Sequence, residues 1–292
     1  MRDIGDFEVV NYRRKRGVRG NGRQAKPLLS AIGTFNNNKL DDEDDRDVDP
    51  EAILRKLHKA EAQLRKSSFL ENLFDKLKES LNALKIQTIR DIVCYGLGRF
   101  SQYRSSKYQL ALLLCMSVHF RTQRVYVYDP VFLRKEREIL ERLGFLLIHT
   151  NEEGKRVVND NPTLVYMPHC PTHLTNNLLY ANWGPKLSNC LFMTNSFSNL
   201  TENSFEQMPL SYIDYLSRSL PYVMEVTLQN DFLYEEAFND LSIHVFLKQN
   251  IETAPSRFWT EREEPCYRDV QVKFITAKET EADVSTRNSE EA

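Results

Sequence analysis

The chain predicts an α/β fold: a Rossmann-like, mostly parallel sheet with helices on both faces, preceded by an N-terminal helical segment and a disordered arm. Three observations predict it. Short apolar runs alternate with helix-period stretches between about residues 89 and 195. The first of those runs, in DIVCYGLGRF, breaks at Gly96 and Gly98 just before a helical pattern begins. That helix is apolar nearly all round over residues 110–118, as suits a helix held between a sheet and a further layer.

Residues 1–48 lack sustained periodicity and divide by charge. Arg13, Arg14, Lys15, Arg16, Arg19 and Arg23 precede the acidic run Asp41, Asp42, Glu43, Asp44 and Asp45, and the stretch reads as a disordered arm. Its basic cluster leaves three readings open: a solvated tail, a nuclear-import address, or a patch that touches RNA. Residues 49–86 form a helical segment. Asp49 and Pro50 make a cap and first turn, and Leu54, Leu57, Ala60, Leu64, Phe69, Leu73, Phe74 and Leu77 recur at helical spacing, giving one long helix or two shorter ones to about Leu84.

Residues 87–272 form the α/β domain. Strands are expected at 89–95, 124–128, 145–149, 163–167 and 190–194, and helices at 105–120, 131–143 and 173–182, the second stopped by Gly144. Residues 222–228 and 241–247 read as later strands, paired antiparallel at one edge. Residues 273–292 are polar and acid-rich and read as a disordered tail.

Composition narrows the function classes. A chain of 292 residues that is 41% hydrophobic can bury a sizeable core. A net charge of −2 exerts no global pull toward nucleic acid or membrane, so any electrostatic partner must be recruited by a local patch. The five cysteines, Cys94, Cys115, Cys170, Cys190 and Cys266, match neither a disulfide framework nor a paired CxxC zinc site, which fits a reducing compartment. No run reaches the roughly 18 apolar residues that span a bilayer. A soluble cytoplasmic protein without a membrane partner is expected, and the arm leaves nuclear entry open.

Three pieces carry candidate chemistry. Gly96 and Gly98 let the backbone turn sharply after the first strand and bring amide N–H groups toward a phosphate or carboxylate. Asp129, at the end of the second strand, has the address of a ribose-binding carboxylate. The plainer alternatives stay open: the glycines form only a tight turn, and Asp129 only caps the chain near Val131 and Phe132. The dinucleotide fingerprint is also incomplete, since Ser101 stands where its third glycine belongs. In VYMPHCPTH, His169, Cys170 and His173 follow a strand end like a metal half-site, but no fourth ligand is nominated, so no metal is assigned. His169 remains placed to hydrogen-bond a ligand or a partner.

The motifs taken in order resemble the sensitivity-to-red-light-reduced (SRR-like) domain family. They are YGLG-F at 95–100, YQLALLL at 108–114, YDP at 128–130, GF at 144–145, YMPHC at 166–170, NNLLYANW at 176–183, NSF at 195–197, and AFNDLSIHVF at 237–246 with FW soon after. The resemblance spans about residues 88–260, and the basic stretch after DFEVV is similar to that of animal members. His173 departs from the family, which often lacks a histidine there. Plant members are associated with light input to the circadian clock, animal relatives with clock gene expression and regulation of haem biosynthesis, and a fungal relative with microtubule stability. The resemblance therefore implies an intracellular regulatory protein with protein partners and no established catalytic mechanism. Against it stands a reading from the residues alone: an S-adenosylmethionine-dependent methyltransferase, or another nucleotide-binding enzyme, using the Gly96/Gly98 turn and Asp129.

Overall fold

A computed structural model describes residues 48–158, 160–205 and 210–267. Most of the sequence-predicted arm with its basic and acidic runs, and the whole of the tail, lie outside the described residues. At the arm's inner end Val48 is buried, and its carbonyl accepts a hydrogen bond from Lys135 Nζ.

The N-terminal helical segment is two helices. Helix α1 (Pro50–Leu64) starts at Asp49, whose carboxylate accepts the Glu51 N–H at 3.0 Å, with Pro50 in its first turn. Ile53, Leu57, Ala60 and Leu64 form its buried stripe. Ser67 then breaks the run and caps α2 (Ser68–Leu84) by accepting the Leu70 N–H. Lys85 ends α2 in the left-handed region, at φ 59°.

Among the described residues seven strands follow: β1 (Asp91–Tyr95), β2 (Arg124–Tyr128), β3 (Leu146–Leu147), β4 (Thr163–Met167), β5 (Cys190–Asn195), β6 (Val223–Thr227) and β7 (Leu241–Phe246). They pair in the order β3-β2-β1-β4-β5-β7-β6. The first five are parallel, while β7 runs antiparallel to both β5 and β6. The antiparallel edge pair expected from the sequence is thus present.

Alternation along the strands makes two cores. Ile92 and Cys94 of β1, Val125 and Val127 of β2 and Tyr166 of β4 face α1, α2, α3 (Arg104–Phe120) and α4 (Arg134–Arg142). Val93, Tyr95, Val165, Met167 and Phe192 face the other way, onto α5 (Thr172–Ala181), α6 (Phe197–Phe205), α7 (Asp214–Ser219), α8 (Lys248–Ile251) and α9 (Ser256–Thr260). Helix α3 is packed on several sides, with Leu110, Ala111, Leu112, Leu113, Cys115 and Met116 all inaccessible, because α1 covers the side turned away from the sheet.

Two local expectations change. The helix placed at 131–143 begins only at Arg134, because residues 129–133 form a turn in which the Val131 N–H is held by Asp129. The strand placed at 145–149 is two residues long, lying at the sheet edge against β2 alone. The short helices α6 to α9 lack the apolar periodicity that would mark them in sequence. No helix among the described residues is long and apolar enough to cross a membrane.

Candidate functional site

In a parallel sheet of this order the strand sequence reverses between β1 and β4, and the crevice at their carboxyl ends is the usual ligand address. The chain leaves β1 there through Gly96 and Gly98, and leaves β4 through residues 168–170. The three pieces singled out in the sequence therefore meet along one edge of the sheet, joined by direct contacts.

Gly96 and Gly98 both adopt left-handed backbone, at φ 76° and 66°. A Cβ on Gly96 would lie 2.3 Å from Cys170 Sγ, and one on Gly98 would lie 3.0 Å from Ser106 Oγ. The turn thus needs glycine for its dihedrals and, at Gly96, also for the close approach of the β4 loop. The Cys170 thiol lies against the end of β1 and donates to the Tyr95 carbonyl at 3.4 Å. Burial pushes that thiol far above the ordinary range, so it packs as a small apolar group and is no ready nucleophile.

The amide donors of the bend turn inward. Gly98 N–H donates to Asp129 Oδ2 at 2.7 Å, and Val131 N–H donates to the other oxygen at 3.0 Å. Three residues on, Ser101 N–H donates to Glu136 Oε1 at 2.7 Å, while Glu136 Oε2 accepts the Leu133 N–H at 3.0 Å. Arg99 Nε completes the knot by donating to the Val131 carbonyl. Burial raises both carboxyl pKa values, and the backbone N–H bonds work against it by favouring the ionised forms. Two N–H groups that could cradle a phosphate, those of Gly98 and Ser101, are thereby occupied by the protein's own carboxylates. Asp129 thus caps the turn at Val131, as the plainer sequence reading has it, and its other oxygen faces the glycine bend.

His169 stands on the exposed side of this edge, again with left-handed backbone, at φ 54°. Its Nδ1 accepts from Gln109 Nε2 at 3.3 Å and its Nε2 lies 3.1 Å from the Asn239 carbonyl, which fixes the neutral tautomer protonated at Nε2. Burial of the ring lowers its pKa in the same sense, with the Asn239 carbonyl opposing. His173 points elsewhere, its ring 5.7 Å from that of Tyr267. His169, Cys170 and His173 diverge, and among the described residues no cluster of three or more His, Cys, Asp or Glu could hold a metal ion.

A neighbouring polar knot joins two further motifs. Asp240 accepts from Asn195 and Asn199, and its carbonyl accepts the Ser196 N–H. The Phe197 N–H donates to Nε2 of the inaccessible His244, whose ring stacks on Phe197 with centroids 3.8 Å apart. Ser198 donates both its amide and hydroxyl hydrogens to Glu225. Burial favours the neutral Glu225 carboxyl, while the hydroxyls of Ser196 and Ser198 favour the ionised form and help hold its pKa below the usual carboxylate range.

Of the residues singled out in the sequence, Gly98 and Asp129 are in direct contact, Gly96 meets Cys170, and His169 bonds instead to Gln109 and Asn239. Sequence reasoning missed Glu136, whose position three residues after Leu133 is the capping-box spacing. It also missed Arg99, Gln109 and Glu225, which carry no spacing signal, since their partners lie at least 27 residues away in the chain.

Comparisons with known proteins bear on the whole of this region. The profile of the SRR1 domain matches residues 61–245. An SRR1-like protein of Mus musculus is 34% identical over 213 residues, which cover 62% of this chain and 83% of that protein. Protein SENSITIVITY TO RED LIGHT REDUCED 1 of Arabidopsis thaliana is 32% identical over 217 residues, covering 70% of this chain and 78% of its relative. Among solved structures, MtNAS in complex with MTA and tNA superposes with a TM-score of 0.37 at 16% identity, over 68% of this chain and 70% of that one. The plantazolicin methyltransferase BpumL in complex with SAH gives a TM-score of 0.26 at 10% identity, over 70% and 95%. Superpositions that weak say nothing about the activity or ligand of this chain.

Proposed function

The chain belongs to the SRR1 domain family, and from that premise we propose that it is a non-catalytic regulatory protein acting through protein partners in a circadian clock input pathway and in the regulation of haem biosynthesis. The observation that carries the non-catalytic part is the Gly98 N–H bond to Asp129 at 2.7 Å, seconded by Ser101 to Glu136. A glycine bend that must receive an anionic ligand keeps its donors open toward the crevice. Here the donors are spent on buried carboxylates, and the side chain of Cys170 fills the space beside Gly96. The edge then serves as a rigid support for the surface around His169. The protein works in the cytoplasm and reaches the nucleus through its basic arm, which is also where contact with nucleic acid would fall.

Two measurements on the full chain test this. Cells deleted for the gene and re-expressing the chain are expected to recover reporter period and haem content, with the same protein partners captured at each rescue. Purified protein is expected to show no thermal shift with S-adenosylmethionine or its demethylated product. A ligand at a hundredfold excess over Kd would stabilise the native state by about 2.7 kcal/mol, easily resolved.

The second reading, an S-adenosylmethionine-dependent methyltransferase, is favoured by the convergence of Gly96, Gly98, Asp129 and His169 at the switch point. It requires the loop to release Gly98 so that Asp129 can accept from a ribose. A thermal shift with S-adenosylmethionine that Asp129→Ala abolishes would establish it in place of the regulatory reading.

A further inference from the structure

On the helical side of the glycine bend, a cleft of about 460 Å³ opens between α1, the start of α3 and the segment around Tyr234. Its size suits a mononucleotide. Gly96, Asp129 and His169 do not line it, and it meets the knot described above only at Ser101, whose N–H is held by Glu136.

Its chemistry is one-sided. Lys56 of α1 and Arg104 and Lys107 of α3 line it, and Lys59 lies close enough to add to their repulsion. Two carboxylates stand nearby: Glu236 forms a long ion pair with Arg104 at 4.0 Å, with both side chains more than half exposed, and Glu61 is paired with Arg65 at 2.7 Å. Partial burial, followed by repulsion from Lys56, Arg104 and Lys59, lowers the Lys107 pKa. Like charges gathered in a partly enclosed cleft cost stability unless an anion joins them.

Arg104 is also held in place. The Arg104 guanidinium sits 4.8 Å from the centroid of Tyr234, whose ring lies 4.8 Å from that of Tyr108. Tyr108 is anchored in turn by its hydroxyl on Gln63. A guanidinium fixed by stacking loses little freedom on binding phosphate, and its fork matches phosphate oxygens. Tyr103 is 59% exposed at the mouth of the cleft, an uncovered aromatic face suited to a base.

We propose that this cleft binds a nucleoside phosphate, with the phosphates on Lys56, Arg104 and Lys107 and the base against Tyr103.

Isothermal titration of the full chain with ATP, and separately with inorganic triphosphate, tests it. ATP is expected to bind at low salt and to weaken as salt is added. The double variant Lys56→Gln, Lys107→Gln is expected to lose affinity tenfold or more while keeping its thermal midpoint, because it removes repelling charges. Lys248→Gln, an exposed lysine elsewhere, is expected to bind as the parent does. Triphosphate is expected to bind several-fold more weakly than ATP, and Tyr103→Ala to erase that difference. The proposal is overturned by absence of ATP binding, by full affinity in the double variant, or by an equal loss in Lys248→Gln. Triphosphate binding as tightly as ATP would overturn the nucleoside part.

Discussion

Replacing Asp129 by Asn tests whether the carboxylate is what locks the glycine bend. The side chain keeps its shape, but one acceptor oxygen becomes an NH2 donor facing either the Gly98 or the Val131 N–H, now 2.7 Å and 3.0 Å from the two oxygens. One hydrogen bond to a charged acceptor is lost, worth about 1.5–3 kcal/mol, and a buried N–H is left facing a donor. Relief of the carboxylate's desolvation, seen in its raised pKa, returns part of that cost. The net expectation is a loss of about 2 kcal/mol, and about 3–4 kcal/mol for Asp129→Ala, which removes both acceptors. Equilibrium urea unfolding of the full chain, followed by circular dichroism at constant m, measures it. A loss under about 0.5 kcal/mol for Asp129→Asn would refute the lock, because a carboxylate whose removal costs so little cannot be what satisfies the bend.

Gly96→Ala should destabilise by about 2–4 kcal/mol, since its φ of 76° and the 2.3 Å approach to Cys170 Sγ both oppose a Cβ. Combining it with Cys170→Ala should cost less than the sum of the single changes, and strict additivity in urea unfolding would show that the two residues do not meet. Glu225, whose folded pKa lies below the usual carboxylate value, contributes stability that is present above about pH 4.5 and fades as pH falls below it. Between pH 5.5 and 3.5 the parent should therefore lose about 1 kcal/mol more than Glu225→Gln, and parallel pH profiles would contradict the assigned environment. Lys85→Gly, at φ 59° past the end of α2, should stabilise by about 0.5–1 kcal/mol, and a lowered thermal midpoint would count against the strain assigned there.

The sequence by itself determined the layers. Period-2 and period-3.6 patterns report which side of a segment is buried, because each strand or helix must turn its apolar face to the core whichever element supplies the cover. This is why β2 and β4 fall on the expected residues and the antiparallel edge pair of β6 and β7 was legible. Glycines placed after β1 and an aspartate ending β2 likewise located the edge where ligands dock in such sheets. Only the tertiary structure decided what those residues do there. Glu136 reaches back 35 residues to Ser101, Asp129 reaches 31 to Gly98, and Cys170 approaches Tyr95 across 75. Hydrogen bonds of that kind have directions fixed by the docking of whole strands and helices, and a linear pattern holds no record of them. The same holds for the basic cleft, where Lys56 and Lys107 belong to unremarkable helical faces until α1 is laid against α3.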